Sequence, residues 1–268
     1  MKSILRAWFF AAAVCSTFAI ATFAGPEAAA QEAAENSGAA PTVLVTGANR
    51  GLGLVWAQKY AERGWNVIAT ARDPDGADEL KALAAETGTI RIEQLDALDE
   101  ASIAGLVARL DGQPIDILVN NAGTLGDEAE QKLGALEADR FDHYMRTNAL
   151  TALLVTQALL PNIRAGEMKK VTAISARAAS FAAYPRMHSG LYYYKAGKAA
   201  LNMIMRNLAM DLAADGITVI VLSPGVVNTY GTEWDMEGMS PEMQASMTDI
   251  DSSIEGMMAV VDDATLED

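Results

Sequence analysis

Residues 43–53 read VLVTGANRGLG. A short apolar run ends in Gly47, and Gly51 and Gly53 follow at the head of LGLVWAQKYAERG (52–64), which reads as a helix closing at Gly64. Gly47 allows a tight turn, while Gly51 and Gly53 let the backbone come close to whatever the loop holds. A helix N-terminus behind such a loop presents unpaired N–H groups and a positive dipole end, so the natural occupant is a pyrophosphate. A glycine triplet alone is weak evidence, because loops are rich in glycine. Its weight depends on what surrounds it.

From Pro41 onward, short apolar runs alternate with longer helical patterns. The strands are TVLVTG, NVIATAR, IRIEQLD, IDILVNNAG, KVTAIS and ITVIVLSPG. The helices between them include GADELKALAAETG, ASIAGLVARLDG, one long helix over EADRFDHYMRTNALTALLVTQALLPNI, and another from YYYKAGKAAL through MDLAADG. Strands that are apolar on both faces and separated by helices mean a parallel sheet. Right-handed crossovers then give an α/β doubly wound sheet of the Rossmann type, in a single domain. In that setting the loop at 47–53 opens the parallel array, and a nucleotide-binding reading stands well above a simple turn. Asn49, Arg50 and Leu52 complete the loop.

Composition bounds the rest. The chain has 268 residues, 51% hydrophobic, with 20 basic and 35 acidic residues and a net charge of −15. So acidic a chain repels phosphate backbones, which argues against nucleic acid as a partner. The single cysteine, Cys15, excludes a disulfide framework and a cysteine-rich metal site. His143 and His188 lie in no metal-ligand pattern, so no metal site is expected.

Residues 1–30 have a basic start (Lys2, Arg6), an apolar run from Ala7 to Ala24, and small residues where cleavage would fall. That order is a signal peptide's. The run also approaches the roughly 20 residues that span a bilayer, so an uncleaved N-terminal anchor is the alternative. Residues 31–41 read as a linker and residues 42–268 as the folded domain. The expected location is exported or membrane-anchored, and cytoplasmic if the segment has no such role.

Cofactor choice is read at the end of the second strand, IATARD. Enzymes that select NAD carry Asp or Glu there for the ribose hydroxyls. Here Ala71 and Arg72 occupy that end, and Arg50 lies in the glycine loop. Guanidinium groups bind phosphate in a bidentate way, so this pair points to a ribose 2′-phosphate and to NADP(H) over NAD(H). The alternative is that Asp73 serves the ribose and Arg72 is merely exposed.

TGANRGLG, NNAG (120–123), TNA around Asn148, YKAGK (194–198) and SPG (223–225) occur in the order seen in the short-chain dehydrogenases/reductases. From Thr42 to Asp268 the chain resembles that family. Its wording at VIATARDP and GKAALNM is similar to the carbonyl-reductase subgroup that includes the C-factor signalling proteins. The resemblance implies interconversion of a small-molecule carbonyl and an alcohol by hydride transfer. It also implies a Tyr-x-x-x-Lys pair on a helix, where residues four apart share a face.

In LYYYKAGKAAL (191–201), Tyr194 has Lys198 at that spacing. Tyr192 with Lys195 is the runner-up pair, and Tyr193, followed four on by Gly197, is expected to pack. Tyrosine, with a pKa near 10, needs a nearby fixed cation to act as an acid–base group at neutrality. By the resemblance, Lys198 also holds the nicotinamide ribose and Asn148 binds a water linked to Lys198. Asn120, Ala122 and Gly123 flank the cofactor, Asp96 sits by the adenine, Pro224, Gly225 and Val227 belong to the cofactor site, and Thr229 lies near the carboxamide. A homodimer or homotetramer built through the long helices is implied.

Two departures stand out. The family's serine pair after the fifth strand is Ser175–Ala176 here, in AISARAAS. Successive strand residues face opposite ways, so Ser175 replaces the second serine only after a local twist, and Ser180 is an outside candidate. No seventh strand is readable after ITVIVLS, so that strand is expected to present an unpaired edge. Tyr230–Ile254 corresponds to the family's substrate lid, the alternative being a flexible tail. These departures, with the export-like segment, support a competing reading: a weak or inactive cofactor-binding or signalling protein on the same fold. A serine hydrolase is excluded, because no G-x-S-x-G elbow is present.

Overall fold

The computed structural model describes residues 39–182, 189–228 and 247–267. The segment expected as a signal or anchor, and most of the expected linker, lie outside the described residues. Among those described, no helix is long and apolar enough to cross a membrane.

The strands are β1 (Thr42–Val45), β2 (Asn66–Ala71), β3 (Ile90–Gln94), β4 (Ile117–Asn120), β5 (Lys170–Ile174) and β6 (Thr218–Leu222). They form one parallel sheet in the order β3-β2-β1-β4-β5-β6. The order reverses between β1 and β4, which makes their carboxyl ends the crevice where ligands bind in doubly wound sheets. The flanking helices are α1 (Gly51–Glu62), α2 (Asp78–Thr87), α3 (Glu100–Leu110), α4 (Ala138–Met145), α5 (Thr151–Ala165), α6 (Tyr192–Leu212) and α7 (Ile250–Asp263). A small parallel pair, β7 (Val226–Val227) and β8 (Met247–Thr248), follows the sheet.

Each central strand buries both faces, and alternate residues serve different cores. Val43, Val45, Val67 and Val119 pack with Trp56 and Tyr60 of α1 and with Ile254, Met257 and Met258 of α7. Leu44, Ile68, Leu118 and Val171 pack with Leu106 of α3, Val155 and Leu159 of α5, and Leu201 and Met205 of α6. Leu44, Val43 and Val45 are wholly excluded from solvent. A one-residue slip of β1 would exchange these two sets, so its register is held from both sides.

One feature departs from the sequence reading, and two bear on segments whose ends it placed. The long helix expected over 137–163 is interrupted: α4 and α5 are separated by a π turn, Arg146–Leu150. Such widened turns re-aim side chains and recur at functional sites, and this one carries Asn148. At the linker's end, Pro41 accepts the backbone N–H of Asn66 at 2.9 Å, and Ala40 accepts its side-chain amide at 2.8 Å. Residues 230–246 of the expected lid lie outside the described residues, and its end, Ile250–Ile254, is the first turn of α7. That helix is capped by Asp249, which accepts from Ser252 N–H at 2.8 Å, and it is pinned by the buried Lys170, whose ammonium donates to the carbonyls of Val261 and Asp262. Among the described residues β6 pairs with β5 alone, and Val221 on it is exposed.

Candidate active site

The glycine loop is held by its neighbours. Gly47 and Gly51 have φ of +66° and +57°, the left-handed region that favours glycine. A Cβ on Gly53 would stand 2.2 Å from the carbonyl oxygen of Gly47, so only glycine fits where the loop folds onto α1. The Asn121 side-chain amide donates to the carbonyls of Thr46 (2.9 Å) and Gly47 (3.1 Å). The Thr46 hydroxyl in turn accepts from the backbone N–H groups of Asn121 and Ala122, both at 3.0 Å. The loops after β1 and β4 are therefore one unit. α1 has no acidic residue in its first turn, and Arg50, its extended N-cap, makes no capping bond with its side chain. A helix end of this kind suits an anion. Asn49 and Arg50 are exposed.

Arg72 is exposed at the end of β2. The neighbouring carboxylate is used locally: Asp73 Oδ1 accepts from Gly76 N–H at 3.2 Å, closing a turn. Asp96, after β3, likewise accepts from Leu98 N–H at 3.0 Å.

The second half of the site converges on Gly123. A Cβ there would lie 2.9 Å from Asn148 Oδ1 and 3.2 Å from Lys198 Nζ, so glycine leaves room for both polar groups. Asn148 is buried in the π turn. Its Oδ1 accepts from Thr124 N–H at 2.9 Å, and its amide donates to the Thr124 carbonyl at 3.0 Å. Lys198 is 5% exposed, and its ammonium donates to the carbonyl of Ile174, the last residue of β5, at 2.7 Å. Burial lowers its pKa from 10.5 to about 8.

The three consecutive tyrosines meet different fates. Tyr192 is exposed. Tyr193 is buried, its hydroxyl donating to the Glu137 carbonyl at 3.1 Å and its ring packed against Phe141 and Tyr144. It packs, as its spacing implied. Tyr194 is partly exposed, one helical turn before Lys198 on the same face of α6. Its backbone N–H is taken by the side-chain oxygen of Gln131 at 2.8 Å. Leu191, just before α6, adopts a left-handed conformation (φ +54°), unusual outside glycine and a sign of local strain.

Some expected residues stand elsewhere than the reading implied. The Asn120 side chain turns into the interior and donates to Thr156 Oγ1 on α5 at 3.0 Å. Ser175 is buried, and its hydroxyl donates to Asn202 Oδ1 at 2.6 Å, so its one proton is already committed. Ala176 follows in extended backbone (φ −150°, ψ 148°). The Pro224 carbonyl accepts from Ser253 at 2.8 Å, Gly225 has φ +81°, and Val227 pairs with Thr248. Thr229 lies outside the described residues.

Thr46, Asn121, Gly197 and Gln131 escaped the sequence reading. A Cβ on Gly197 would stand 3.0 Å from Asn148 Cβ and 3.3 Å from the Tyr144 carbonyl, so this glycine lets α6 close against the π turn. A glycine inside a helix costs about 1 kcal/mol relative to alanine, and that misfit was the available signal. Asn121 was visible as half of a doubled asparagine. Gln131 had none, because its partner is 63 residues away. Among the described residues no cluster of His, Cys, Asp or Glu could hold a metal ion.

A Rossmann-type sheet with a glycine loop, and a tyrosine and a buried lysine one turn apart beside a buried asparagine, define a nucleotide-dependent oxidoreductase class. The family pattern described as short chain dehydrogenase matches residues 41–238, and the chain belongs to that family. It is 36% identical over 149 residues to the C-signal protein of Myxococcus xanthus, covering 56% of this chain and 81% of that one. Among solved structures it is similar to an NADPH-bound carbonyl reductase from chicken fatty liver, with TM-score 0.74 and 31% identity over 86% of this chain and 90% of that one. It is also similar to a carbonyl reductase from Pseudomonas aeruginosa PAO1 in complex with NADP, with TM-score 0.70 and 28% identity over 85% and 94%.

Proposed function

We propose that this chain is an NADP(H)-dependent reductase that interconverts a small-molecule carbonyl and its alcohol, with Tyr194 as the acid–base group. The observation that carries the reading is the convergence of Asn148 and Lys198 on Gly123, one turn along α6 from Tyr194.

The fit to the cofactor is a matter of space and charge. Gly47, Gly51 and Gly53 with the N-terminus of α1 suit a pyrophosphate. Arg50 and Arg72 suit a 2′-phosphate, and Asp73, occupied in its own turn, is a poor rival for the ribose. NADPH, when bound, supplies the hydride. Tyr194 gives its phenolic proton to the carbonyl oxygen, and the Lys198 ammonium favours the phenolate left behind. Asn148 keeps the π turn and the Thr124 backbone in register beside Lys198. Ala176 brings no hydroxyl, so one hydrogen bond to the developing oxyanion is missing, at a cost of about 10²–10³ in rate.

That same residue favours a second reading, a cofactor-binding or signalling protein with little turnover. The subunits are proposed to pair through the outer helices, where Met203 and Met210 stand exposed seven residues apart on α6. Export rests on residues 1–30 of the sequence alone. NADPH oxidation by the purified chain against small aldehydes, ketones and quinones decides between the readings. Turnover lost in Tyr194→Phe supports the reductase, whereas cofactor binding without turnover supports the second reading.

A further inference from the structure

Gln131 ends a short 3₁₀ turn, Ala129–Gln131, in the connection between β4 and α4. It is completely buried, and glutamine is seldom so unless its amide is fully used. Here the Nε2 group donates to the carbonyls of Leu125 (2.8 Å) and Asp127 (3.2 Å), while Oε1 accepts from Tyr194 N–H (2.8 Å). One side chain thus joins the loop that follows Gly123 to the first turn of α6. That turn lacks a cap of its own: Leu191, at the N-cap, offers no side-chain acceptor and has a left-handed backbone. First-turn N–H groups need outside acceptors. Gln131 supplies one for the residue whose phenol does the chemistry.

We infer that Gln131 is a positioning residue for Tyr194, fixing the first turn of α6 against the loop after β4 so that the phenol stays in register with Lys198. The inference rests on the reductase reading above. The hydrogen bonds of Gln131 go to backbone groups, the Tyr194 N–H among them. Gln131 acts through the backbone of Tyr194, and a displacement of about 1 Å at a reacting group can cost on the order of 10²-fold in rate.

Gln131→Met keeps the length and removes all three hydrogen bonds. The expected result is a kcat for carbonyl reduction reduced ten- to hundredfold, with KM and the Kd for NADPH within about twofold of wild type. In the alcohol-oxidation direction, the acid limb of the pH profile moves to higher pH, because a phenol displaced from Lys198 holds its proton more tightly. In the cofactor-free protein, hydrogen exchange at the Tyr194 amide speeds up at least tenfold. Gln131→Glu, protonated so that it can donate toward the carbonyls of Leu125 and Asp127, retains an acceptor for that amide. It keeps the exchange protection even if Gln131→Met does not fold, and it loses less kcat.

An unchanged pH profile and unchanged amide exchange in Gln131→Met, with only a lowered Tm, would reduce Gln131 to a structural role and overturn the inference. Loss of amide protection in Gln131→Glu would do the same. Failure of the reductase reading looks different: turnover then survives Tyr194→Phe, or is absent from the wild type, whatever stands at 131.

Discussion

Lys198 donates its ammonium to the carbonyl of Ile174 at 2.7 Å, so the only catalytic cation proposed for this site is tied to the last residue of β5, one residue before Ser175. The contact fixes where the charge sits, and it does so in a buried place where the charged form is disfavoured. The same depressed pKa makes Lys198 a contributor to the pH dependence of stability.

The unfolded chain holds the Lys198 proton up to about pH 10.5, and the folded chain releases it near pH 8. Between those values the unfolded state binds more protons, so stability rises with pH across that window. Lys170, also lowered by burial, acts in the same direction. Lys59, raised by its bonds to Glu255 and Asp251, loses its contribution only at higher pH. The cofactor-free wild type should therefore gain Tm from pH 7.5 to 9.5, and Lys198→Met should gain distinctly less. Equal slopes in a calorimetric series would show that Lys198 does not titrate as described.

Tyr194→Phe should lower turnover by about 10²–10⁴-fold, the usual contribution of a positioned acid–base group, and leave NADPH affinity intact. Tyr192→Phe, at an exposed ring, should change kcat by less than about twofold, within the range of ordinary surface substitutions. Steady-state kinetics on both variants separates Tyr194 from the runner-up pair; a large loss in Tyr192→Phe would transfer the role.

Ala176→Ser should raise kcat, by as much as about 10²–10³-fold if the new hydroxyl reaches the carbonyl oxygen, because it restores the missing donor. The residue stands in extended backbone that any side chain adopts, so the substitution brings no strain. Ser175→Ala, which removes a hydroxyl already committed to Asn202, should act mainly on Tm, by the roughly 1 kcal/mol of a buried hydrogen bond. A kcat unchanged in Ala176→Ser would mean that another group already serves the oxyanion.

Gly53→Ala should abolish cofactor binding. Its Cβ would sit 2.2 Å from the Gly47 carbonyl oxygen and 2.5 Å from the Asn121 amide, so the loop must open. The expected destabilisation is about 1–3 kcal/mol, typical of overpacking. Titration of NADPH fluorescence checks this, and near-normal affinity would show that the loop is not the pyrophosphate cradle.

Arg72→Ala should weaken NADPH binding by about tenfold or more and leave NADH binding nearly unchanged, if the guanidinium meets the 2′-phosphate as proposed. Equal losses for the two cofactors would move the ribose contact to another residue, Asp73 first.

Much of this was legible in the order of residues. The burial of Val43, Leu44 and Val45 on both faces of β1 follows from an apolar run, and the positions of Gly47 and Gly51 follow from the backbone freedom that glycine has. The i, i+4 relation of Tyr194 and Lys198 is also local, a matter of one helical turn. What the sequence determined by itself was therefore the individual strands, the glycine loop and the four-residue spacing of Tyr194 and Lys198, all of which depend on near neighbours in the chain. The tertiary structure alone decided that Asn120 turns inward to Thr156, that Asn121 ties the glycine loop to β4, and that Ser175 bonds to Asn202. It alone placed Gln131 against Tyr194 and opened the helix into a π turn at Asn148. Those outcomes depend on contacts between residues 24 to 75 apart, where several partners compete for each polar group and packing selects among them.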